Sequence, residues 1–508
     1  MTFGSIDLAN MRPPGRVEEL GIPLGMAEDL FMRRVLTERV TSIGQVAEAL
    51  HVLHPVADAL ASALREKQLI EYLGATGRDY RIQLTEGGHR TTAQRMESGR
   101  HVGGIPVPLA DYSAVVNAQQ SEVVLDRELM RNVFADMVIA DELLDRIGPA
   151  FVGDGAMFLY GPAGTGKTSI AERLNRVFED PVLIPRHIET DGQIIAVYDP
   201  SLHRALDHQP EHLDPRWVLC ERPLVVVGGE LDMMMLDLQH DSVSGINVAP
   251  IQLLANNGIL VVDDFGRQAI QPDAILNRWI VPLSRGIDYL KVNTGTKFTV
   301  PFALKLVIST NMDPMALGDD AFLRRLRNKV FIGAVTEDAF VQILKGAAER
   351  HSILLTTGAP EYLGEITRHR VGQLRPYVAV DFCELTAAAC RYERSSPVLN
   401  ADMIDRIADL YFVQETDTST ADSSRPRSLS QPQARRRELD QWSLDNNGDD
   451  SRRVPQGWHD YEIGARSGDN PMAGLEALAD TQSVDGGQVQ QEVPSVLQSS
   501  PNESNGHY

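Results

Sequence analysis

The stretch MFLYGPAGTGKTSIA, residues 157–171, decides how the rest of this chain must fold. Its first four residues read as a hydrophobic strand, a glycine-rich turn follows, and a helix opens at Lys167. Gly161, Gly166, Lys167 and Thr168 fit G-x-x-x-x-G-K-[ST], the pattern of a phosphate-binding loop. Consecutive backbone N–H groups must wrap an anion closely, which a Cβ in the turn would prevent. The helix start adds the positive end of its dipole. Lys167 is then placed to neutralise the β- and γ-phosphates, and the Thr168 hydroxyl to ligate Mg2+. Pro162, Ala163, Gly164, Thr165 and Ser169 complete the cradle. The plain alternative, a glycine turn followed by a chance Lys-Thr, requires neither the strand before it nor the helix after it.

The 508 residues give room for two or three domains with cores of their own. With 43% hydrophobic and 23% charged residues, the composition is that of a soluble globular protein. A net charge of −22 argues against a mainly electrostatic nucleic-acid binder, though a local basic groove stays compatible with it. Cys220, Cys383 and Cys390 are an odd number without C-x-x-C spacing, so they suggest neither a disulfide framework nor a zinc site. The N-terminus, MTFGSIDLANMRPPGR, lacks the apolar core of a signal peptide, and no apolar run approaches membrane-spanning length. These features predict a cytoplasmic protein with no membrane insertion.

Residues 1–22 read as a flexible lead-in. Over residues 23–98 the pattern predicts a helix at 27–38, a second at 43–50 and a third at 55–67 with proline in its first turn. Two strand-like pieces follow, 69–73 and 80–84. Three helices and a two-stranded wing resemble a winged-helix domain. Such domains usually suggest DNA, yet the third helix, PVADALASALREK, offers phosphate little beyond Arg65 and Lys67. Arg78 and Arg81 lie on or beside the wing and form no clustered stripe. Protein docking or a structural role is the favoured reading, and DNA contact stays open. Residues 99–125, opening GRHVGGIPVPL, read as a linker. Helical pieces over 112–119 and 129–147 lead into the first strand, where Val138 and Ile139 are either plain core or an adenine cover.

ILVVDD, residues 259–264, is an apolar run of the kind buried on both faces of a parallel sheet, with its acids at the carboxyl end where ligands bind. Asp263 would hold Mg2+ directly or through water, and Asp264 would polarise the attacking water. Asp264, Phe265 and Gly266 also spell a kinase triplet, but the rest of the kinase set is missing. Asn328-Lys329 does not continue into a guanine-reading motif, so adenine is the default base. A further apolar strand, LKLVIST, ends in Asn311, which can orient the lytic water between the two earlier strand ends. DAFLRRLRNKV, residues 320–330, carries Arg324, Arg325 and Arg327, either as an arginine finger for a neighbouring subunit or as a solvated helix end.

GPAGTGKT, ILVVDD, the STN ending at Asn311 and the AFLRR stretch together resemble the AAA+ ATPase family, over roughly 129–412. The resemblance implies an α/β fold: a P-loop αβα domain at 126–334 with a helical lid at 335–413. It also implies a homo-oligomeric ring, commonly hexameric, with ATP between subunits. Lys167 and Thr168 would be the first-motif ligands, Asp263 and Asp264 the second-motif acids, Asn311 the first sensor, and Arg324 or Arg325 the finger. Two departures stand out. Asp264 replaces the family's usual Glu with a side chain one methylene shorter, which points to slow hydrolysis. The lid helix, read as starting at Asp381, carries no second-sensor arginine, leaving Arg375 or Arg370 as substitutes.

Residues 199–257 form an unusually long stretch between the two motifs, with a strand at 224–227 and then ELDMMMLDLQHD. Met233, Met234, Met235, Leu236 and Leu238 belong either to the core or to an adaptable contact surface. Residues 289–292 and 297–300 read as a hairpin around 293–296. Such an insert and hairpin resemble the AAA+ branch of magnesium chelatase, MoxR-type chaperones and dynein, where these elements project into the ring and touch substrate. Cys383 and Cys390 share a face of a lid helix and should be buried. Residues 414–508 read as a disordered acidic tail whose compact basic cluster is Arg435, Arg436 and Arg437. The expected function is ATP-driven remodelling of an unknown protein client. A DNA-directed ATPase or transcription regulator, and a slow nucleotide-dependent scaffold, are the alternatives.

Overall fold

The computed structural model describes residues 2–3, 6–7, 11–77, 79–97, 99–120, 125–316 and 328–412. Five short apolar segments make its central sheet: β1 (Met157–Tyr160), β2 (Leu224–Val227), β3 (Ile259–Val262), β4 (Lys305–Thr310) and β5 (Asn328–Phe331). They pair in parallel in the order β2-β3-β4-β1-β5. Continuous apolar runs suit strands covered on both faces, and the period-2 alternation divides them cleanly. Met157, Leu159, Ile259, Val261 and Val307 pack into one core cluster, and Phe158, Leu260, Val262, Leu306 and Ile308 into another. Register holds Val262 opposite Ile308 and Tyr160 opposite Thr310, so the loops leaving β1, β3 and β4 emerge along one edge.

The insert contributes two strands to a second sheet that the sequence did not suggest. The strands Val107–Pro108, His187–Thr190, Gln193–Ala196, Ile246–Val248 and Gln239–Asp241 form a second five-stranded sheet. Its centre is a hairpin whose two-residue loop, Asp191-Gly192, has both φ angles positive, at 50° and 73°. Asp-Gly is a strong hairpin signal of that turn type. Val182–Pro185 pairs separately with Trp217–Cys220.

Towards the N-terminus the helices Leu24–Glu38, Ile43–Ala49 and His54–Glu66 precede the hairpin Ile70–Thr76 and Asp79–Leu84, whose second strand also pairs with Thr41–Ser42. Ser42 and Gln45 cap the second helix reciprocally. These elements share a core cluster of their own, and a further helix, Glu86–Met96, follows.

Several expectations are corrected. From residue 11 the lead-in is pinned: Val17–Leu20 forms a 3-10 turn, Leu20 is buried, and the Asp214 N–H donates to the Met11 carbonyl at 2.9 Å. The linker contains a strand of the second sheet and the helix Leu109–Ala118, whose Tyr112 and Val116 are core residues. The single helix expected over 129–147 is two, Arg127–Val133 and Asp141–Val152. Between them Asp136 accepts hydrogen bonds from Arg173 and Arg176 of the segment after the phosphate loop, drawing the chain out of helical geometry. The lid comprises Glu337–Arg350, Ala359–Val371, Pro376–Glu393 and Ala401–Tyr411. Its third helix starts at Pro376, not Asp381, because proline is favoured in a first turn. Cys383 and Cys390 are buried on it. Among the described residues no helix is long and apolar enough to cross a membrane. Residues 414–508 lie outside the described residues.

Candidate nucleotide site

A cleft of about 1050 Å³ opens over the carboxyl edge of β1, β3 and β4, between the sheet and the lid. Residues 163–169 form its floor. Gly166 caps the helix Lys167–Arg173 at φ +91°, and Gly164 at φ +75° lies so close to the Tyr377 ring that a Cβ there would fall 2.1 Å from Cδ1. Both conformations disfavour any side chain.

Lys167 folds back over the loop, donating from Nζ to the Pro162 carbonyl at 2.8 Å, the Gly161 carbonyl at 3.0 Å and Asn311 Oδ1 at 2.6 Å. Asn311 passes the chain on, its Nδ2 donating to Asp264 Oδ1 at 2.7 Å. Thr168 Oγ1 donates to Asp263 Oδ2 at 2.8 Å. Burial lowers the Lys167 pKa, with Arg375 adding to that effect and the Asp264 and Asp263 carboxylates opposing it. An anion arriving here meets a cation whose present partners are all neutral oxygens.

Asp264 adopts φ +48°, so its backbone turns sharply out of β3 and its carboxylate reaches Asn311. Asn311 follows β4, which lies between β3 and β1, and so occupies the position expected from the sequence. Val138 and Ile139 line the same cleft, beside Leu143, Ile343 and Tyr377. These apolar side chains give the cleft a surface that suits a base. Asp136, at the rim, is held well below the usual carboxylate range by hydrogen bonds from Arg173 and Arg176.

The structure adds residues that the sequence reading passed over. Arg267 lines the cleft with its guanidinium 3.8 Å from Asp264, and Arg173 and Arg350 line it too. Of the two arginines named from the sequence as second-sensor substitutes, Arg375 donates to the Ala163 carbonyl at 3.3 Å from the foot of the third lid helix, and its Nε is buried without a partner. Arg370 ends the preceding helix and is exposed. Arg324, Arg325 and Arg327 lie outside the described residues.

Mg2+ binds oxygen ligands and usually takes only one or two from protein, the rest coming from phosphates and water. The adjacent Thr168 hydroxyl and Asp263 carboxylate fit that demand. Among the described residues no group of three or more His, Cys, Asp and Glu could hold a metal by itself.

A parallel sheet in this order, with a glycine loop after β1, acids after β3, a polar residue after β4 and helices above, defines an α/β fold whose polar groups converge at the carboxyl edge of the sheet, where ligands bind in such folds. A family profile described as a domain of unknown function, DUF8689, matches residues 336–409, which span the lid helices. No curated protein sequence matches the chain. Among solved structures, Thermotoga maritima RuvB, a Holliday junction branch migration motor, matches with 12% identity over 57% of this chain and 72% of its own, at a TM-score of 0.30. A point mutant of that protein matches with the same identity and coverage at a TM-score of 0.31.

Proposed function

We propose that the chain is an AAA+ ATPase that couples ATP hydrolysis to remodelling a protein client, working as a homo-oligomeric ring. The observation that carries this reading is the hydrogen-bonded line Lys167–Asn311–Asp264 beside the Thr168–Asp263 pair. Phosphate oxygens would replace the loop carbonyls and Asn311 as acceptors for Lys167. Asn311, released on that side, then orients water toward the γ-phosphate while Asp264 accepts its proton. Thr168 and Asp263 would hold Mg2+, which neutralises phosphate charge in this class of reaction. Arg375 would bind the same phosphates from the lid, and Arg324 or Arg325 would complete a neighbouring subunit's site. The N-terminal helices and hairpin are read as a winged-helix adaptor for protein.

Protein is favoured over DNA because the cations of the helix His54–Glu66 and its cap are engaged. Arg65 lies over the Tyr72 ring at 4.7 Å, and Lys67 donates to Glu28 at 2.5 Å. The rest of the helix's exposed face includes His54, Pro55, Ala59, Ser62 and Glu66, which offers little to phosphate. Steep loss of a DNA-stimulated ATPase with salt would reverse that preference.

Two substitutions test the ATPase. Lys167→Ala should abolish binding of a fluorescent ATP analogue. Asp264→Asn should keep binding and cut turnover by about 10² or more, the usual worth of a general base. Undiminished hydrolysis in either variant refutes the assignment.

A further inference from the structure

Behind the acids sits a side chain that does not itself line the cleft. Gln268 is 9% exposed, and its Nε2 donates to the carbonyls of Asp263 at 3.0 Å, Gly228 at 3.2 Å and Asp264 at 3.4 Å. Its Oε1 accepts from the Gly266 N–H at 2.8 Å. One buried amide therefore joins the backbone of both acids to the residue at which β2 ends and the methionine segment begins.

The far end of that segment is clamped as well. Arg278, on the helix Pro272–Arg285, donates to the Leu236 carbonyl at 3.1 Å and forks onto Asp288 at 2.5 and 3.0 Å. Gln252 donates to the same carbonyl at 2.8 Å and to Asp288 at 2.9 Å. Asp288 is fully buried on the first strand of the hairpin Ile287–Lys291 and Lys297–Pro301. Leu231 and Leu236 are buried near the two clamps, while Met233 and Met234 between them are 37% and 68% exposed.

We infer that Gln268 is a positioning residue that couples the backbone of the Asp263-Asp264 turn to residues 228–238, and that Arg278 and Gln252 together pass the displacement on to the hairpin at Asp288. The inference rests on the ATPase reading. Asp264 holds a left-handed backbone conformation, so rearrangement of its carboxylate around a triphosphate tilts its peptide unit. The Gln268 amide must follow that carbonyl or lose it, and Gly228 shares the same donor group. Since Leu231 also donates to the Gly228 carbonyl, at 3.2 Å, the shift enters the segment at its first turn. A chain of hydrogen bonds with Gln268 as the shared donor at the first junction and Arg278 and Gln252 at the second is a physical route for coupling, and perturbing one junction tests it.

The test is hydrogen exchange on the full chain with Mg2+, with and without a nonhydrolysable ATP analogue. In the natural sequence, peptides over 228–238 should slow by about tenfold, with the same midpoint as peptides over 261–268. In Gln268→Met, similar in bulk but without the amide, peptides over 163–169 and 261–268 should still respond while the response over 228–238 falls to less than a third. The double variant Arg278→Lys with Gln252→Leu should keep the response over 228–238 and lose it over 287–301. An unchanged 228–238 response in Gln268→Met, or protection of 163–169 in the natural sequence with none at 228–238, overturns the coupling. No protection of 163–169 at all instead overturns the nucleotide reading beneath it. If Gln268→Met does not fold, the double variant decides through the hairpin: a retained 287–301 response counts against the route.

Discussion

At the scale of single residues, the site divides into groups held by the local chain and groups delivered from far away. Arg375 belongs to the second kind. Its Nη1 already touches the phosphate loop, and its buried Nε lacks an acceptor, which is costly for a cation in a closed setting. A triphosphate would supply that acceptor. Arg375→Ala should therefore weaken binding of a fluorescent ATP analogue by about ten- to a hundredfold, since hydrogen bonds to charged groups are worth about 1.5–3 kcal/mol. Isothermal titration of the variant checks this, and an unaltered dissociation constant would remove Arg375 from the phosphate shell. The glycine loop was legible from sequence because its chemistry is contiguous: strand, turn, Lys167 and Thr168 follow one another. Asp263, Asp264 and Asn311 were legible because each ends an apolar run. Arg267, Arg173, Arg350 and Tyr377 carried no such mark. They reach the cleft through the placement of helices, and the misplaced start of the helix Pro376–Glu393 hid Arg375's position beside the loop.

At the scale of elements, the methionine segment shows why apolar content alone left core and contact surface open. The 3-10 turn Met234–Leu236 does both jobs: Leu236 is fully buried and Met235 packs against the same core, while Met234 faces outward. A turn that short has no amphipathic period to read. The two faces should separate in mutagenesis. Leu236→Ala should lower stability by about 2–5 kcal/mol, the usual cost of emptying a buried leucine site. Met234→Ser should change it by less than about 0.5 kcal/mol, as surface substitutions do, and leave hydrolysis intact. Urea unfolding of both variants distinguishes them, and equal destabilisation would mean that Met234 is as buried in solution as Leu236. The second sheet was missed for a related reason. Its strands run two to four residues, too short for alternation to stand out, although the Asp191-Gly192 dipeptide carried a hairpin signal.

At the scale of the whole molecule, the second sheet supplies the seat of the N-terminal helices and connects them to the domain built on β1–β5. Ile194 packs against the N-terminal core cluster. Arg216, buried in a fork with Asp214, donates to the Leu20 carbonyl at 3.3 Å and the Pro106 carbonyl at 3.4 Å. Three histidines meet at this junction: His51 after the second N-terminal helix, His101 in the connecting segment and His187 on the sheet. The His101 and His187 rings lie edge to face at 4.8 Å, and all three histidines hold a buried ring nitrogen without a hydrogen-bond partner. Burial lowers the pKa of His51 to about 4, with Arg186 adding and Asp214 opposing. Burial lowers His101 to about 4, with Arg33 adding, and His187 to about 3, with His101, His51 and Arg186 adding. The folded chain therefore keeps these rings neutral at pH values where the unfolded chain, with histidines near 6.5, binds protons. More protons on the unfolded state means that stability rises with pH across that window, by at most about 1.4 kcal/mol per pH unit for each ring. The contribution is complete above pH 6.5 and is lost as pH falls from there toward about 4 for His51 and His101 and about 3 for His187. The N-terminal helices should consequently detach from the sheet before the domain built on β1–β5 unfolds. Hydrogen exchange at pH 7.5 and 5 should show residues 99–108 and 187–196 losing protection at the lower pH while β1, β3 and β4 keep theirs. His187→Gln should flatten that dependence by about one proton of the three. An identical pH slope in this variant would mean that His187 titrates alike in the folded and unfolded chain.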